Sequence, residues 1–259
     1  MYLEHKGINI YYTETGLGKA IVLLHGFLEN ANMWTPFIPI LSKKNKVITI
    51  DLLGHGKTGC LGYIHSMELM ANAVSAVLNH LNINKYIIIG HSMGGYVALA
   101  LAEKQPKAIL GLCLMNSTAN ADSPEKIENR NRAILAVKQN HNTFIRLAIN
   151  NLFSPKNRIL FSKQIKTLIK EAQQTPLQGI IAALEGMKIR KSRLEIFHNT
   201  SYKNMLMVSK KDPVLNANLL ISQTKNTTIQ VVEFPDGHMS HIENEVLFLQ
   251  NITHFVENL

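Results

Sequence analysis

The sequence predicts an α/β fold: a doubly wound, mostly parallel sheet of about eight strands with a helical insertion. Three observations support this prediction. Continuous apolar runs, such as AIVLL at 20–24, suit strands that are buried on both faces. Segments with helical periodicity alternate with these runs, as they do in doubly wound sheets. A stretch without good strands, residues 120–200, interrupts the alternation before it resumes toward the C-terminus.

The elements before the interruption follow in order. Residues 2–14 are predicted to form two short strands with a turn at Lys6-Gly7, because apolar side chains alternate along the second strand. Helices are predicted over 67–81, which has one broad apolar stripe, and over the alanine-rich segment 93–104. The buried strands between them are predicted from the apolar runs at 20–24, 47–50 and 86–89.

Residues 119–200 are the predicted insertion, and residues 1–118 and 201–259 the predicted core. Helices are expected to begin at Ser-Pro and Thr-Pro steps, where a hydroxyl caps the helix and proline is tolerated in the first turn. These steps are Ser123-Pro124, Ser154-Pro155 and Thr175-Pro176. Strands at 205–208 and 228–234 resume the pattern. A docking helix is expected at the end, with one apolar face made of Phe248, Ile252, Phe255, Val256 and Leu259.

The composition favours an ordinary globular protein. Its net charge of +9 is spread along the chain, which favours a solvated surface over a nucleic acid or anionic membrane partner. Two cysteines, Cys60 and Cys113, form no framework and favour a reduced, cytoplasmic protein. The N-terminal segment lacks the pattern of a signal peptide, and no apolar stretch reaches about 18 residues, so integral membrane association is not expected.

The strongest chemical signal is GHSMGG at residues 90–95, directly after a predicted strand and directly before a helix. G-x-S-x-G in this context is a nucleophile elbow. The glycines two positions on either side of Ser92 allow a tight turn, which lifts the serine hydroxyl above the sheet. The turn also places Ser92 at a helix N-terminus, where free N–H groups favour negative charge.

Three further motifs each follow a predicted strand. LHGF at 24–27 positions the amide of Phe27 to join that of Met93 in an oxyanion hole. Asp212 follows the strand at 205–208, and His238 follows the strand at 228–234. Because open α/β sheets build their sites at the carboxyl ends of the strands, these residues are expected to meet Ser92.

The chain resembles the α/β-hydrolase fold superfamily, in its serine-nucleophile, esterase-like branch. The matching segments are HGF at 25–27, DLLGHG at 51–56, GHSMGG at 90–95, KKDPV at 210–214 and GHMSHIE at 237–243. The resemblance implies a catalytic triad of Ser92, Asp212 and His238, and an oxyanion hole at the amides of Phe27 and Met93. It also identifies the insertion with the cap, or lid, of these enzymes.

The resemblance, together with the chemistry of these residue types, predicts a serine hydrolase that cleaves a small carboxylic ester. His238 would remove the proton of Ser92, and Asp212 would orient the imidazole. Acyl transfer of this kind proceeds through an acyl-enzyme and needs no metal or organic cofactor. The only partner expected is a small-molecule substrate.

Several assignments stay open at this point. His241 competes with His238 as the base, and Asp236 with Asp212 as the acid. His25 and His91 flank the expected pocket, where they either touch the substrate or support the loops. Trp34 either lines the acyl pocket or packs in the core.

Two other functions remain as alternatives. Carbon–carbon bond hydrolases and a menaquinone-pathway lyase resemble this chain and carry the same triad. Two arginines directed into the pocket would favour them, and the insertion offers Arg130, Arg132, Arg146, Arg158, Arg190 and Arg193. A small-molecule receptor with slow or no turnover is the alternative from another class.

Overall fold

The computed structural model describes residues 1–199 and 201–259. Its eight strands form one sheet with the spatial order β1-β2-β4-β3-β5-β6-β7-β8. The strands are β1 (Tyr2–His5), β2 (Ile8–Thr15), β3 (Lys19–Leu24), β4 (Asn45–Ile50), β5 (Tyr86–His91), β6 (Ile109–Met115), β7 (Lys203–Ser209) and β8 (Gln230–Phe234). The prediction of a mostly parallel, eight-stranded α/β sheet is confirmed.

The sheet is antiparallel only at one edge. β1 pairs with β2 and β2 with β4 in antiparallel register, whereas β3 to β8 are parallel. The turn between β1 and β2 is at Lys6 and Gly7, which both have positive φ. The parallel strands bring their carboxyl ends to one edge, where the loops after β3, β5, β7 and β8 meet.

The helices connect these strands on both faces of the sheet. In chain order they are α1 (Ile38–Leu41), α2 (Met67–His80), α3 (Met93–Lys104), α4 (Pro124–Gln139), α5 (His141–Asn150), α6 (Asn157–Leu160), α7 (Ser162–Ala172), α8 (Leu177–Lys188), α9 (Leu194–Phe197), α10 (Ala217–Ser222), α11 (Ser240–Glu243) and α12 (Glu245–Glu257). Short 3-10 helices span Ala31–Trp34 and Pro106–Ala108. No helix in residues 1–199 or 201–259 has the length and apolar character that crossing a bilayer requires.

Successive side chains of the central strands point to opposite faces and so build two apolar layers. Val22 and Leu24 of β3 belong to the layer that α2 and α3 cover. Ile21 and Leu23 belong to the opposite layer, which α12 covers. Burial on both faces explains why the central strands are continuous apolar runs.

Helices α4 to α9 all lie between β6 and β7. Ser123 caps α4 as predicted, since its Oγ accepts a hydrogen bond from the amide of Lys126 at 3.3 Å. Asn140 ends α4 and caps α5 through a 2.9 Å bond from the amide of Thr143. The buried side chains of this segment join the layer of α2 and α3, so its packing is continuous with the core. The predicted boundary at residue 200 lies outside the described residues.

The structure corrects the sequence analysis in a few places. β6 lies at 109–115, a range for which the sequence analysis predicts no strand. The helix expected at Ser154-Pro155 begins two residues later, at Asn157.

Candidate active site

Ser92 lies where the chain turns sharply from β5 into α3. Its backbone has a φ of 48° and a ψ of −114°, a conformation that is strained for a residue with a side chain. A Cβ on Gly90 would lie 2.3 Å from the carbonyl oxygen of Gly94, and one on Gly94 would lie 2.5 Å from that of Leu24. The flanking glycines are therefore a steric requirement of this turn. Such strain is concentrated at active sites in general.

His238 and Asp212 form a buried hydrogen-bonded pair. His238 Nδ1 lies 2.7 Å from Asp212 Oδ2, and each side chain is 2% exposed. Asp212 Oδ1 also accepts bonds from the amides of Val214 at 2.8 Å and Leu215 at 3.0 Å. Burial favours the neutral acid, but the attraction of His238 and these hydrogen bonds outweigh it and hold the pKa of Asp212 below its ordinary value. The carboxylate thus fixes Nδ1 of His238 as the donor and leaves Nε2 for proton transfer.

Ser92 and His238 line the same cavity, which has a volume of about 170 Å³. The insertion contributes part of its wall through Arg130, Leu152 and Met187. Within the described residues, no hydrogen bond joins Ser92 Oγ to the His238 ring; catalytic bonds of this kind often tighten only when substrate is bound. The cavity lies below the roughly 300–1,000 Å³ of pockets that enclose drug-sized ligands, so it suits a small group.

Of the two predicted oxyanion donors, Phe27 belongs to the cavity wall, and Met93 directly follows the cavity residue Ser92. The amide of Phe27 donates no hydrogen bond within residues 1–199 and 201–259. Met93 is the first residue of α3, so its amide has no partner inside the helix. The oxyanion role of these two amides stays a prediction.

The three residues predicted as pocket neighbours have different places. His91 lines the cavity. His25 does not: its Nδ1 faces the carbonyl oxygen of Gly26 at 2.7 Å, and its Nε2 accepts a bond from the amide of Leu52 at 2.9 Å. His25 therefore supports the loops. Trp34 is fully buried in the layer of α12, and its ring lies 6.4 Å from that of Phe248, so it packs in the core and away from the cavity.

The rivals to the predicted base and acid lack the matching geometry. His241 is 3% exposed, and neither of its ring nitrogens has a partner in the described part of the chain. Desolvation, partly opposed by Glu29, lowers the pKa of His241 to about 3. Asp236 accepts a bond from Asn244 at 3.3 Å, while the 2.7 Å bond of His238 goes to Asp212.

Sequence analysis missed a polar residue at the end of β6. Asn116 has a φ of 43° and donates from Nδ2 to Asp212 Oδ2 at 3.1 Å and to Ser209 Oγ at 2.8 Å. Its Oδ1 accepts a 2.6 Å bond from Ser240 Oγ. Asn116 thus joins the acid to the segment that follows His238. Its position directly after a strand at the carboxyl edge is the signal that would have found it.

Two carboxylates of the site were also not predicted. Glu29 Oε2 lies 2.6 Å from Nδ1 of His91, and each side chain is 1% exposed. Glu243 Oε1 accepts bonds from the amide of Ser154 and from Asn157 Nδ2 at 3.1 and 2.9 Å. Neither carboxylate follows a strand directly. The expectation that site residues follow the carboxyl ends of strands therefore does not identify them.

The arginine pattern that would favour the lyase-like alternatives is incomplete. Of the six arginines of the insertion, all within the described residues, only Arg130 lines the cavity. Its guanidinium pairs with the buried Asp122. Arg190 pairs with the same carboxylate at 2.6 Å and stacks over Tyr96 with 4.0 Å to the ring centroid. The cavity wall therefore contains one arginine, whose charge Asp122 neutralises. The lyase-like alternatives call for two arginines directed into the cavity.

Comparisons with known proteins agree with this architecture. A family model described as the alpha/beta hydrolase fold matches residues 19–245. The chain belongs to the alpha/beta hydrolase fold family. Among the solved structures of similar hydrolases, a thermophilic esterase from Thermogutta terrifontis, solved with malate bound, superposes with a TM-score of 0.91. It is 28% identical, and the match covers 99% of this chain and 96% of that one.

Curated relatives of this chain match over shorter stretches. A putative carbamate hydrolase, RutD of Azorhizobium caulinodans, is 27% identical over 198 residues, which are 76% of this chain and 71% of that protein. The dihydrolipoyllysine-residue acetyltransferase component of the acetoin cleaving system of Pseudomonas putida is 37% identical over 100 residues, 39% of this chain. The match spans only 27% of that relative's length.

Proposed function

We propose that this alpha/beta hydrolase cleaves small carboxylic esters, with Ser92 as nucleophile, His238 as general base and Asp212 as the acid that orients it. The observation that carries this proposal is the buried 2.7 Å contact between His238 Nδ1 and Asp212 Oδ2, beside a cavity that His238 shares with Ser92. The likeness to a solved esterase over nearly the whole chain supports the same chemistry.

In the first half-reaction, Ser92 Oγ attacks the ester carbonyl while His238 Nε2 takes its proton. The carbonyl oxygen becomes an oxyanion, which the amides of Phe27 and Met93 stabilise; losing one such donor typically costs about 3 kcal/mol. The imidazolium of His238 then donates the proton to the leaving alkoxide. An alcohol departs, and the acyl group stays bound to Ser92.

In the second half-reaction, water replaces the alcohol. His238 removes a proton from the water as its oxygen attacks the acyl carbonyl. Collapse of the second tetrahedral intermediate breaks the bond to Ser92 Oγ, which recovers its proton from His238. The carboxylic acid leaves, and the site returns to its starting state.

We assign the core to residues 1–118 and 201–259 and the cap to residues 119–200. Met187 and Leu152 belong to the cap segment and line the cavity. Their apolar side chains support a short acyl group at this position. Substrate length therefore depends on the cap, while the chemistry depends on the core.

A series of p-nitrophenyl esters from acetate to decanoate tests the proposal. We expect the highest kcat/KM for the two- to four-carbon acyl groups, because the cavity holds only about 170 Å³. Met187→Ala should move the optimum toward longer chains. Ser92→Ala should lose kcat by about 10⁶-fold, as triad serines do. Absence of turnover by the wild type, or turnover that Ser92→Ala retains, would contradict the proposal.

A further inference from the structure

A second acid–histidine pair includes the residue next to the proposed nucleophile. His91 precedes Ser92 in the elbow, and its Nδ1 lies 2.6 Å from Glu29 Oε2. Its other nitrogen, Nε2, lies 3.2 Å from the carbonyl oxygen of His238. The ring centroids of His91 and His238 are 5.1 Å apart. The pair therefore contacts His238 only at its backbone carbonyl oxygen. Both ring nitrogens of His238 stay free of the pair.

The hydrogen-bond pattern constrains the protons of this pair. A carbonyl oxygen only accepts, so Nε2 of His91 carries a hydrogen. One further proton lies between Nδ1 of His91 and Oε2 of Glu29. His25 differs, because one of its nitrogens faces an acceptor and the other accepts from the amide of Leu52, as a neutral imidazole does.

The surroundings favour the placement of that further proton on His91. The ionisable groups that face the ring are Glu29, His25, Asp212, His238 and His241. Burial disfavours the imidazolium, but Glu29, the His238 carbonyl and Asp212 outweigh it and raise the pKa of His91. Burial likewise opposes ionisation of Glu29, and the attraction of His91 outweighs it and lowers the pKa of Glu29 to about 2. Both directions favour the ion pair.

One carboxylate oxygen joins the loop after β3 to the elbow. Oε2 of Glu29 accepts a 2.6 Å bond from the amide of Gly26, in addition to the bond from His91. The amide of Gly26 belongs to the turn that presents Phe27 to the cavity. A Cβ on Gly26 would lie 2.5 Å from Glu29 Oε2 and 2.9 Å from His91 Nδ1. The glycine of the HGF motif is thus required where the chain passes this pair.

We propose that Glu29 and His91 are positioning residues: a permanently charged pair that holds the backbone of His238 and the oxyanion turn in register with Ser92. This inference rests on the proposed function, since it assigns these residues a purpose in that reaction. Buried ion pairs contribute little net stability compared with apolar packing. A role in fixing geometry explains why the fold keeps one here.

The charge state of His91 is tested directly by ¹⁵N NMR of histidine-labelled protein between pH 5.5 and 9, with Glu29→Gln and His91→Gln for assignment. We expect both ring nitrogens of His91 to stay protonated across this range in the wild type. In Glu29→Gln, His91 should lose a proton within the range. A wild-type His91 that titrates in this range, or has one bare nitrogen, would overturn the proposal. This measurement needs no enzyme activity, so its outcome is separate from that of the ester assay.

The positioning role is tested by the pH–rate profile with a p-nitrophenyl ester. Glu29→Gln should lower kcat by about 10- to 100-fold at alkaline pH, the scale of a small misplacement of catalytic groups. KM should change little, and the loss should shrink as His91 regains its proton at lower pH. A profile parallel to that of the wild type, or a change confined to KM, would overturn the role.

Glu171→Gln is the matched control. Its carboxylate accepts bonds from Asn30 Nδ2 at 3.1 Å and Asn32 Nδ2 at 3.5 Å, in the same loop as Glu29. It undergoes the same chemical change without contact to His91. We expect its pH profile and its His91 resonances to match the wild type. If Glu29→Gln and Glu171→Gln changed the pH profile equally, Glu29 would only support the loop, and the inference would be contradicted.

Discussion

The amide of His238 donates a 2.8 Å hydrogen bond to the carbonyl oxygen of Leu152. The proposed base is therefore tied by its own backbone to the segment between α5 and α6. Leu152 also lines the cavity. The cavity wall and the backbone of His238 are therefore joined through this segment.

Glu243 reinforces this connection, and Glu243→Gln tests it. Oε1 accepts two bonds from the segment after α5, and Oε2 accepts one from the amide of Met239 at 3.3 Å. A glutamine would place its carboxamide NH2, which is a donor, opposite one set of these donors, so those hydrogen bonds would be lost. We expect the free energy of unfolding in urea to fall by about 1–3 kcal/mol. Glu128→Gln, an exposed change on α4, should stay within about 0.5 kcal/mol; equal losses would contradict the assignment.

The identity of the acid is tested by Asp212→Asn beside Asp236→Asn. Asparagine at 212 can no longer hold the required tautomer of His238, so we expect kcat to fall by about 10⁴-fold. Within the described residues no hydrogen bond joins Asp236 to that ring, so Asp236→Asn should keep most of the activity. Initial rates with a p-nitrophenyl ester distinguish the two. A larger loss in Asp236→Asn would assign the role to that residue.

The base is tested by His238→Ala and His241→Ala. Removal of His238 leaves Ser92 without a proton acceptor, so kcat should fall to near the level of Ser92→Ala. Removal of His241 leaves a cavity beside His91 and should lower the urea midpoint more than it lowers kcat. The reverse ranking of the two kcat values would move the base to His241.

Buried neutral histidines predict sensitivity to acid. Desolvation lowers the pKa of His55 and His241 to about 3 and of His65 to about 4, from an ordinary value of 6.5. Below pH 6.5 the unfolded chain gains protons that the folded chain does not, so stability is lost as the pH falls toward 3 to 4. Each such proton changes the free energy of unfolding by about 1.4 kcal/mol per pH unit.

His91 and Glu29 do not cancel this effect. Because the pKa of His91 is raised in the fold, its protonation stabilises the fold fully when the pH is below the ordinary histidine pKa. That contribution is lost only as the pH rises through the pKa of the folded state. The lowered pKa of Glu29 adds a loss between about 4.5 and 2. Urea unfolding at pH 7.5, 6.5, 5.5 and 4.5 measures the slope. A flat profile between 6.5 and 4.5 would show that these imidazoles are not held neutral.

Much of the fold was predictable because its signals are local. Apolar runs mark strands buried on both faces, and the Ser123-Pro124 step marks the start of α4. The elbow at Ser92 and the loops at Asp212 and His238 each follow a strand, so topology alone brings them to one edge. β6 carries a glycine at position 111 within its apolar run, and it was not assigned individually.

The rest depended on contacts between distant segments. Glu29 and His91 are separated by 62 positions, and Asn116 and Asp212 by 96, so no spacing in the sequence relates them. Trp34 was ambiguous for a similar reason: the sequence does not show on which face of the sheet the segment after β3 packs. The cavity wall includes residues from the helices between β6 and β7, and the sequence pattern does not show how those helices are placed relative to one another.

Labelling with a fluorophosphonate followed by peptide mass spectrometry tests the central claim most directly. The probe phosphonylates a serine that an adjacent base activates, and fluoride leaves. The serine attacks the phosphorus as it would attack the carbonyl carbon of an ester. We predict one adduct, on Ser92, in the wild type, with labelling greatly slowed in His238→Ala and absent in Ser92→Ala. An unlabelled wild type, or an adduct on a different serine, would contradict the assignment of Ser92 as the nucleophile.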